Sequence, residues 1–317
     1  MNKAELNDLR KVMGTLPDED AILTTEFHHG VSDMSVELVD YSTNPYKAMY
    51  VLATSCWGKK INKWDSTSIE GRIAVVKAVL DRLALPLAYE APKFTFAIEN
   101  IPRWSFDQIA RARLGVTFSS RGTRDNSHRD AGFFIHDDIW ENNELREEFK
   151  KAAIQCKKVY DLILKKGEGS YQSARSILPI SNTHAFSMTI NYAALQSMCS
   201  KRMKFCEADA TVAFAWLLRE EVKKVFPLLA AYLRPSCDFT GKCQYNKMYY
   251  LSNAFGCLFK PCGRNECDGN SEYHTENKVC SDKGSIEKQL SIKIPDANED
   301  CTKDFILTER DMELFEK

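Results

Sequence analysis

The segment Gln108–Asn126 reads QIARARLGVTFSSRGTRDN and sets four arginines, Arg111, Arg113, Arg121 and Arg124, among Ser, Thr and Gly. No acid interrupts them until Asp125. The chain around them is close to neutral, with 43 Lys and Arg against 44 Asp and Glu. An arginine fork presents fixed donors and keeps its charge near neutral pH. Several such forks on Gly- and Ser-rich backbone make a receptor for phosphate, because bidentate charge-assisted bonds add to backbone N–H groups. Gln108, one turn earlier, both donates and accepts, which suits the edge of a pyrimidine. The residues therefore read as a nucleotide pocket built on a helix C-terminus and the loop after it. Two plainer readings stand beside it: a surface run of arginines that is solvated or paired with acids, and a nucleic-acid patch. Phe118 is the segment's one interleaved aromatic, which disfavours nucleic acid.

The totals bound the rest. A chain of 317 residues with 44% hydrophobic residues forms one large domain or two modest ones around a sizeable core. A net charge of -1 argues against a general nucleic-acid binder. The N-terminal MNKAELNDLRKVMG lacks an apolar signal region, and no run reaches the length of a membrane span, so a cytoplasmic protein without a membrane partner is expected. Cys56, Cys156, Cys199 and Cys206 are scattered through the first 236 residues, as reduced core thiols are. The other seven of the 11 cysteines begin at Cys237, just after Pro235. That shift sets the expected organisation: an N-terminal extension over 1–35, a catalytic domain over 36–232 and a Cys-rich extension over 233–317.

Periodicity supplies the elements. MSVELVDYS (34–42) alternates as a strand, and NPYKAMYVLATSCW follows as a helix with Asn44 as N-cap and Pro45 at its first position. SIEGRIAVVKAVLDRLALP is a helix that Pro86 ends, and KFTFAIENI alternates Phe94, Phe96 and Ile98 as a strand. Pro102 opens a helix through RWSFDQIARAR, on which Gln108 and Arg111 share a face. Gly115 and Gly122 bracket an irregular segment. NELREEFKKAAIQCKKVYDLILKKG is an amphipathic helix with Leu145, Phe149, Ala152, Cys156, Val159 and Ile163 as its apolar stripe, a solvated Lys-rich face and Gly167 as its cap. A turn, a short strand and a helix follow over 177–205. DATVAFAWLLREEVKKVFPLLAAYLR is a long apolar helix broken at Pro227, and TERDMELFEK ends the chain as a short helix.

Together these pieces resemble the flavin-dependent thymidylate synthases (ThyX). That family carries Q-x-x-R-H-R on a helix, then a Ser/Asn-rich loop ending in S-x-R. Here the motif stands as Gln108, Arg111, Ala112 and Arg113, and LGVTFSSRGTR fits the loop, with one residue inserted, to end on Arg124. The family's R-x-x-L-P segment, T-x-N turn and following helix are similar to RSILPISNTHAFSMTINYAALQSMCSKR, with Leu178, Pro179, Thr189, Asn191, Leu195 and Arg202 in place. The resemblance spans about 36–232.

The resemblance implies an α/β (α+β) fold of the ThyX type, an antiparallel or mixed sheet flanked by helices, assembled as a homotetramer. It implies that Gln108 and Arg202 hold the uracil ring of dUMP, with Arg202 stabilising charge as C5 becomes nucleophilic. It places Arg124, Ser120 and Gly122 on the nucleotide and Arg111, Arg113, Thr117 and Asn191 on FAD. NADPH and methylenetetrahydrofolate are the implied co-substrates of a methyl transfer to C5 of dUMP. Five features of the family pattern differ: the histidine of R-H-R is Ala112, the histidine before the FTF strand is missing, the serine of S-x-R is Gly122, an arginine of the turn is Ala185, and MKFCEADATV follows Arg202 in place of A-Q-x-E-I. The nucleotide half is better kept than the flavin and folate half. Two alternatives follow: a pyrimidine nucleotide hydroxymethylase or methylase of altered specificity, and a paralogue that binds nucleotide without catalysis.

Three further groups carry chemistry. His28 and His29 read as an exposed pair or a metal or flavin contact. SHRDAGFFIHDD sets His128 and His136 near Asp130, Asp137 and Asp138, as a loop at the pocket mouth with Arg129 near phosphate, or as a metal site. In the tail, Cys237, Cys243, Cys262 and Cys267 offer a loosely spaced zinc quartet. Disulfides, free thiols or a tail packed on a neighbouring subunit are the alternatives.

Overall fold

The computed structural model describes residues 2–13, 25–55, 63–82, 86–124, 126–166, 170–205, 208–240, 283–296 and 305–317. Its strands are β1 (Phe27–His29), β2 (Ser35–Tyr41), β3 (Lys93–Pro102), β4 (Val116–Ser120), β5 (Phe133–Ile135) and β6 (Thr183–Asn191). The chain divides into two units. The first comprises 1–34, 99–107 and 119–186; the second comprises 35–98, 108–118 and 187–317.

The second unit holds most of a four-stranded sheet of order β2-β3-β6-β4. Ser42 N–H bonds to the carbonyl of Lys93, and Asn191 N–H to that of Gly115, so β2 with β3 and β6 with β4 run antiparallel. On β3 the alternation buries Phe94, Phe96 and Ile98, as the pattern predicts. The Pro45–Thr54 helix begins as expected: Asn44 Oδ1 accepts the N–H of Lys47 at 2.9 Å, a cap worth about 1 kcal/mol. The helix over Ile69–Leu80 stops before Pro86, which instead starts a short 3-10 turn, Pro86–Glu90. Arg82 turns the chain with φ +59. The Asp209–Val225 helix packs on β2, and Pro227 starts a separate short helix, Pro227–Ala231.

One element of this unit is a core member that its polar sequence hides. In the Glu309–Glu316 helix, Asp311, Leu314 and Phe315 are buried. Phe315 stacks on Tyr46 with ring centres 4.6 Å apart, and Arg72 donates to its carbonyl at 2.6 Å. Asp311 accepts from the Tyr46 hydroxyl, the Leu228 amide and Thr308.

In the first unit β1 and β5 pair in parallel, Phe27 opposite Phe133 and His29 opposite Ile135. A helix, Lys3–Val12, closed by an Asn2–Glu5 capping box, precedes them. The Asn143–Lys165 helix starts on Asn142 and is not buried along the expected stripe. Leu145 is 52% exposed and Ala152 is exposed, while Ala153, Lys157, Tyr160 and Asp161 are buried. The apolar period was read one position off because the buried groups on this face are hydrogen-bonding ones. The cap expected at Gly167 lies outside the described residues. Among the described residues, no helix is long and apolar enough to cross a membrane.

Candidate functional site

The arginine segment is built differently from its sequence reading. The helix carrying Gln108 is Arg103–Ile109, so Arg111 and Arg113 lie beyond its end rather than along its face. Gly115 follows at φ +70, and a side chain there would strike the amide of Asn191 at 2.6 Å. Glycine is thus required twice at this turn, for conformation and for clearance. The segment between the glycines is not irregular: Val116–Ser120 forms β4 at the edge of the sheet, where Thr117 and Ser120 are exposed. Its β-branched and aromatic residues favour that pairing.

Six of the expected site residues fall in the second unit: Gln108, Arg111, Arg113, Thr117, Asn191 and Arg202. Arg202 closes the Tyr192–Arg202 helix and donates through Nη2 to the carbonyl of Gln108 at 3.0 Å. The Gln108 side-chain oxygen is buried and without a hydrogen-bond partner. A buried acceptor left unmade costs about 1–3 kcal/mol, so such an atom is a position where a bound donor is favoured. Asn191 caps the helix of Arg202, its Oδ1 accepting from Ala194 N–H at 2.9 Å, which leaves its amide N–H groups as donors. Arg111 and Arg113 are exposed, and neither enters an ion pair among the described residues.

Ser120, Gly122 and Arg124 fall in the first unit, with Arg124 exposed in a turn. The sequence reading passed over Arg175 as a site residue. Its Nη1 donates to Thr123 Oγ1 at 3.3 Å, setting a further guanidinium on the arginine turn. The signal was present, because Arg175 is the arginine of the R-x-x-L-P segment. Arg121 is committed elsewhere: it donates to Asp130 at 3.0 Å and to the carbonyl of Ser127. Burial works against the Asp130 charge, but Arg121 outweighs it and holds the carboxyl below its usual range.

The histidines that the sequence singled out divide likewise. His28 Nδ1 lies 3.1 Å from Asp33, and His29 Nε2 lies 3.1 Å from Asp137 while its ring stacks on Trp140. His128 is 2% exposed, and neither ring nitrogen has a hydrogen-bond partner. Burial first, then Arg121 and His184, lower its pKa to about 3. His184, 4% exposed, is lowered to about 4 by burial and then by Arg103. Both imidazoles are neutral at pH 7. Arg129 meets Asp161 at 2.8 Å rather than solvent. No cluster able to hold a metal occurs among the described residues. Of the proposed zinc quartet, Cys237 is buried in the Ser236–Thr240 helix; Cys243, Cys262 and Cys267 lie outside the described residues.

Comparison with known proteins bears on these residues. The family described as thymidylate synthase complementing protein, Thy1, matches residues 37–228. The flavin-dependent thymidylate synthase of Pyrococcus abyssi is 30% identical over 228 residues, covering 66% of this chain and 88% of that protein. That of Clostridium tetani is 25% identical over 234 residues, covering 68% and 92%. A crystal structure of a UMP/dUMP methylase PolB from Streptomyces cacaoi bound with 5-Br dUMP superposes with a TM-score of 0.55 at 17% identity, over 65% of this chain and 96% of that one. At that identity the likeness establishes the fold alone. The chain is therefore a divergent member of the flavin-dependent thymidylate synthase (ThyX) family, on a ThyX-type fold.

Proposed function

We propose that the protein transfers a one-carbon unit to C5 of a uridine-type monophosphate, dUMP first among them, using FAD. The observation that carries this reading is the contact of Arg202 with the Gln108 carbonyl beside the buried, unpartnered Gln108 side-chain oxygen. A carboxamide accepts from N3–H of uracil and donates to a ring carbonyl. A guanidinium beside that carbonyl stabilises the negative charge that develops when C5 acts as nucleophile. The residues also fit a flavin. Arg111 and Arg113 are exposed cations with no ion pair among the described residues, as a pyrophosphate site requires. Asn191, with its oxygen engaged on the helix, has amide donors left for the cofactor. Flavin supplies hydride when bound; NADPH and methylenetetrahydrofolate are the proposed co-substrates. Arg124, with Ser120 and Gly122, is assigned to the nucleotide phosphate, and Arg175 beside Thr123 adds charge to that turn. A homotetramer is the proposed assembly, and 36–232 the proposed catalytic domain.

A second reading rests on Ala112 and Ala185, which stand where relatives of the ThyX pattern carry histidine and arginine. Their loss favours an altered product, a hydroxymethylated or methylated pyrimidine nucleotide. The test is direct. The purified protein should show a flavin absorption band, bind dUMP, and convert it to a C5-substituted product identified by mass. A colourless protein that takes up no added FAD yet binds dUMP overturns the enzyme reading in favour of a binding paralogue. Metal analysis of the full chain tests zinc at the cysteine quartet.

A further inference from the structure

The inward face of the Asn143–Lys165 helix is polar, and its groups converge on one short segment. Lys157 is 0% exposed. Its ammonium donates to the carbonyl of His128 at 2.6 Å and to that of Arg129 at 2.9 Å, and lies 5.7 Å from the centre of the Phe133 ring. One turn on, the Tyr160 hydroxyl accepts the backbone N–H of His128 at 2.8 Å. Asp161 accepts from Arg129 Nε at 2.8 Å. Side chains at i, i+3 and i+4 of one helix thus hold both backbone and side-chain groups of two consecutive loop residues.

Packing alone does not ask for this. A buried ammonium without a carboxylate in contact costs free energy, and an apolar side chain of similar length would fill the space. Among the described residues Lys157 enters no ion pair. Burial lowers its pKa to about 8, partly offset by Asp130 and Glu26 and reinforced by Arg121. The segment it holds has its own client. Arg121 donates to the Ser127 carbonyl and to Asp130, so the two ends of the 121–130 loop are tied through that guanidinium. Asn126 adds a second tie, its Nδ2 donating to the Gly122 carbonyl at 3.0 Å. Between these ties lie Thr123 and Arg124.

We propose that Lys157, Tyr160 and Asp161 are positioning residues, a helix-borne clamp that fixes residues 127–130 and, through Arg121, presents the Thr123–Arg124 turn to an anionic ligand. The ligand's identity as a nucleotide phosphate rests on the function proposed above; the clamp itself does not.

The test uses the full chain with Tyr160→Phe and Asp161→Asn, which keep side-chain shape, and Lys157→Met as the severe variant. Amide hydrogen exchange over 121–130 should quicken in all three. The dissociation constant for dUMP should rise about fivefold for each hydrogen bond removed. In flavin-loaded protein, KM for dUMP should rise with kcat unchanged, a split that general loosening of the fold would not give. Unchanged exchange over 121–130 in both shape-conserving variants overturns the clamp. Faster exchange with dUMP affinity equal to wild type overturns its positioning role. A wild-type protein that binds no dUMP, with faster exchange in the variants, overturns the phosphate reading and leaves the clamp standing.

Discussion

Two pairs of arginines, one in each unit, do opposite work. In the first unit Arg121 and Arg129 are consumed by the fold, Arg121 by Asp130 and Ser127, Arg129 by Asp161. In the second, Arg111 and Arg113 stand exposed without an ion pair among the described residues, and Arg202 rests on a backbone carbonyl. Four of these five lie within nineteen residues of one another in sequence. Adjacency in a motif therefore does not assign a role. A guanidinium that already faces a carboxylate is spent on structure, whereas an exposed one outside any ion pair among the described residues, as at Arg111 and Arg113, retains its charge for a ligand.

The contrast can be broken by experiment. The largest expected effect belongs to the first unit and to pH. His128 and His184 have folded pKa values of about 3 and about 4 against 6.5 for an unperturbed histidine. The unfolded chain therefore binds more protons than the folded one below pH 6.5, so the stability is complete above that pH and is lost as pH falls towards the folded values. Between pH 7 and pH 5 the loss should be about 4 kcal/mol, shared about equally. His128→Gln should halve it in urea titrations at the two pH values; an equal loss in the variant refutes the assignment.

Next comes Arg202→Ala, expected to weaken dUMP binding about a hundredfold in titration calorimetry, since a charge-assisted contact is removed from the ring site. Unchanged affinity would remove Arg202 from that site. Arg121→Ala should lower stability by about 2 kcal/mol, because the Ser127 carbonyl and Asp130 lose their common donor. The smallest effect sharpens the contrast most. Arg111→Ala and Arg113→Ala should leave stability within about 0.5 kcal/mol of wild type while FAD affinity falls about tenfold. Equal destabilisation by Arg121→Ala and Arg113→Ala would erase the distinction.

Much of this was legible in the sequence where the cause is local. Asn44 and Pro45 start their helix through their own hydroxyl-free geometry: an amide oxygen on the Lys47 N–H and a preset φ. The alternation of Phe94, Phe96 and Ile98 reports a sheet with one buried face, and Pro227, which cannot continue the Asp209–Val225 helix, starts a new one. The failures share a different cause. Lys157 was read as part of a solvated face because its carbonyl partners lie 28 and 29 residues away. The Glu309–Glu316 helix is legible in the sequence but its burial is not, because its core partners, Tyr46 and Arg72, lie more than two hundred residues earlier. The helix of Gln108 was expected to run to Arg113 but ends at Ile109, where the chain turns towards Gly115 and β4.

The contact between Tyr46 and Asp311 has a consequence for biosynthesis. The two residues are 265 positions apart, yet each completes the other's surroundings. Translation proceeds at about 5–20 residues per second, so Tyr46 waits at least about ten seconds outside the ribosome before Asp311 exists. Until then Tyr46 lacks both its Asp311 hydrogen bond and the stacked ring of Phe315, so the final packing of the Pro45–Thr54 helix waits on the last residues made.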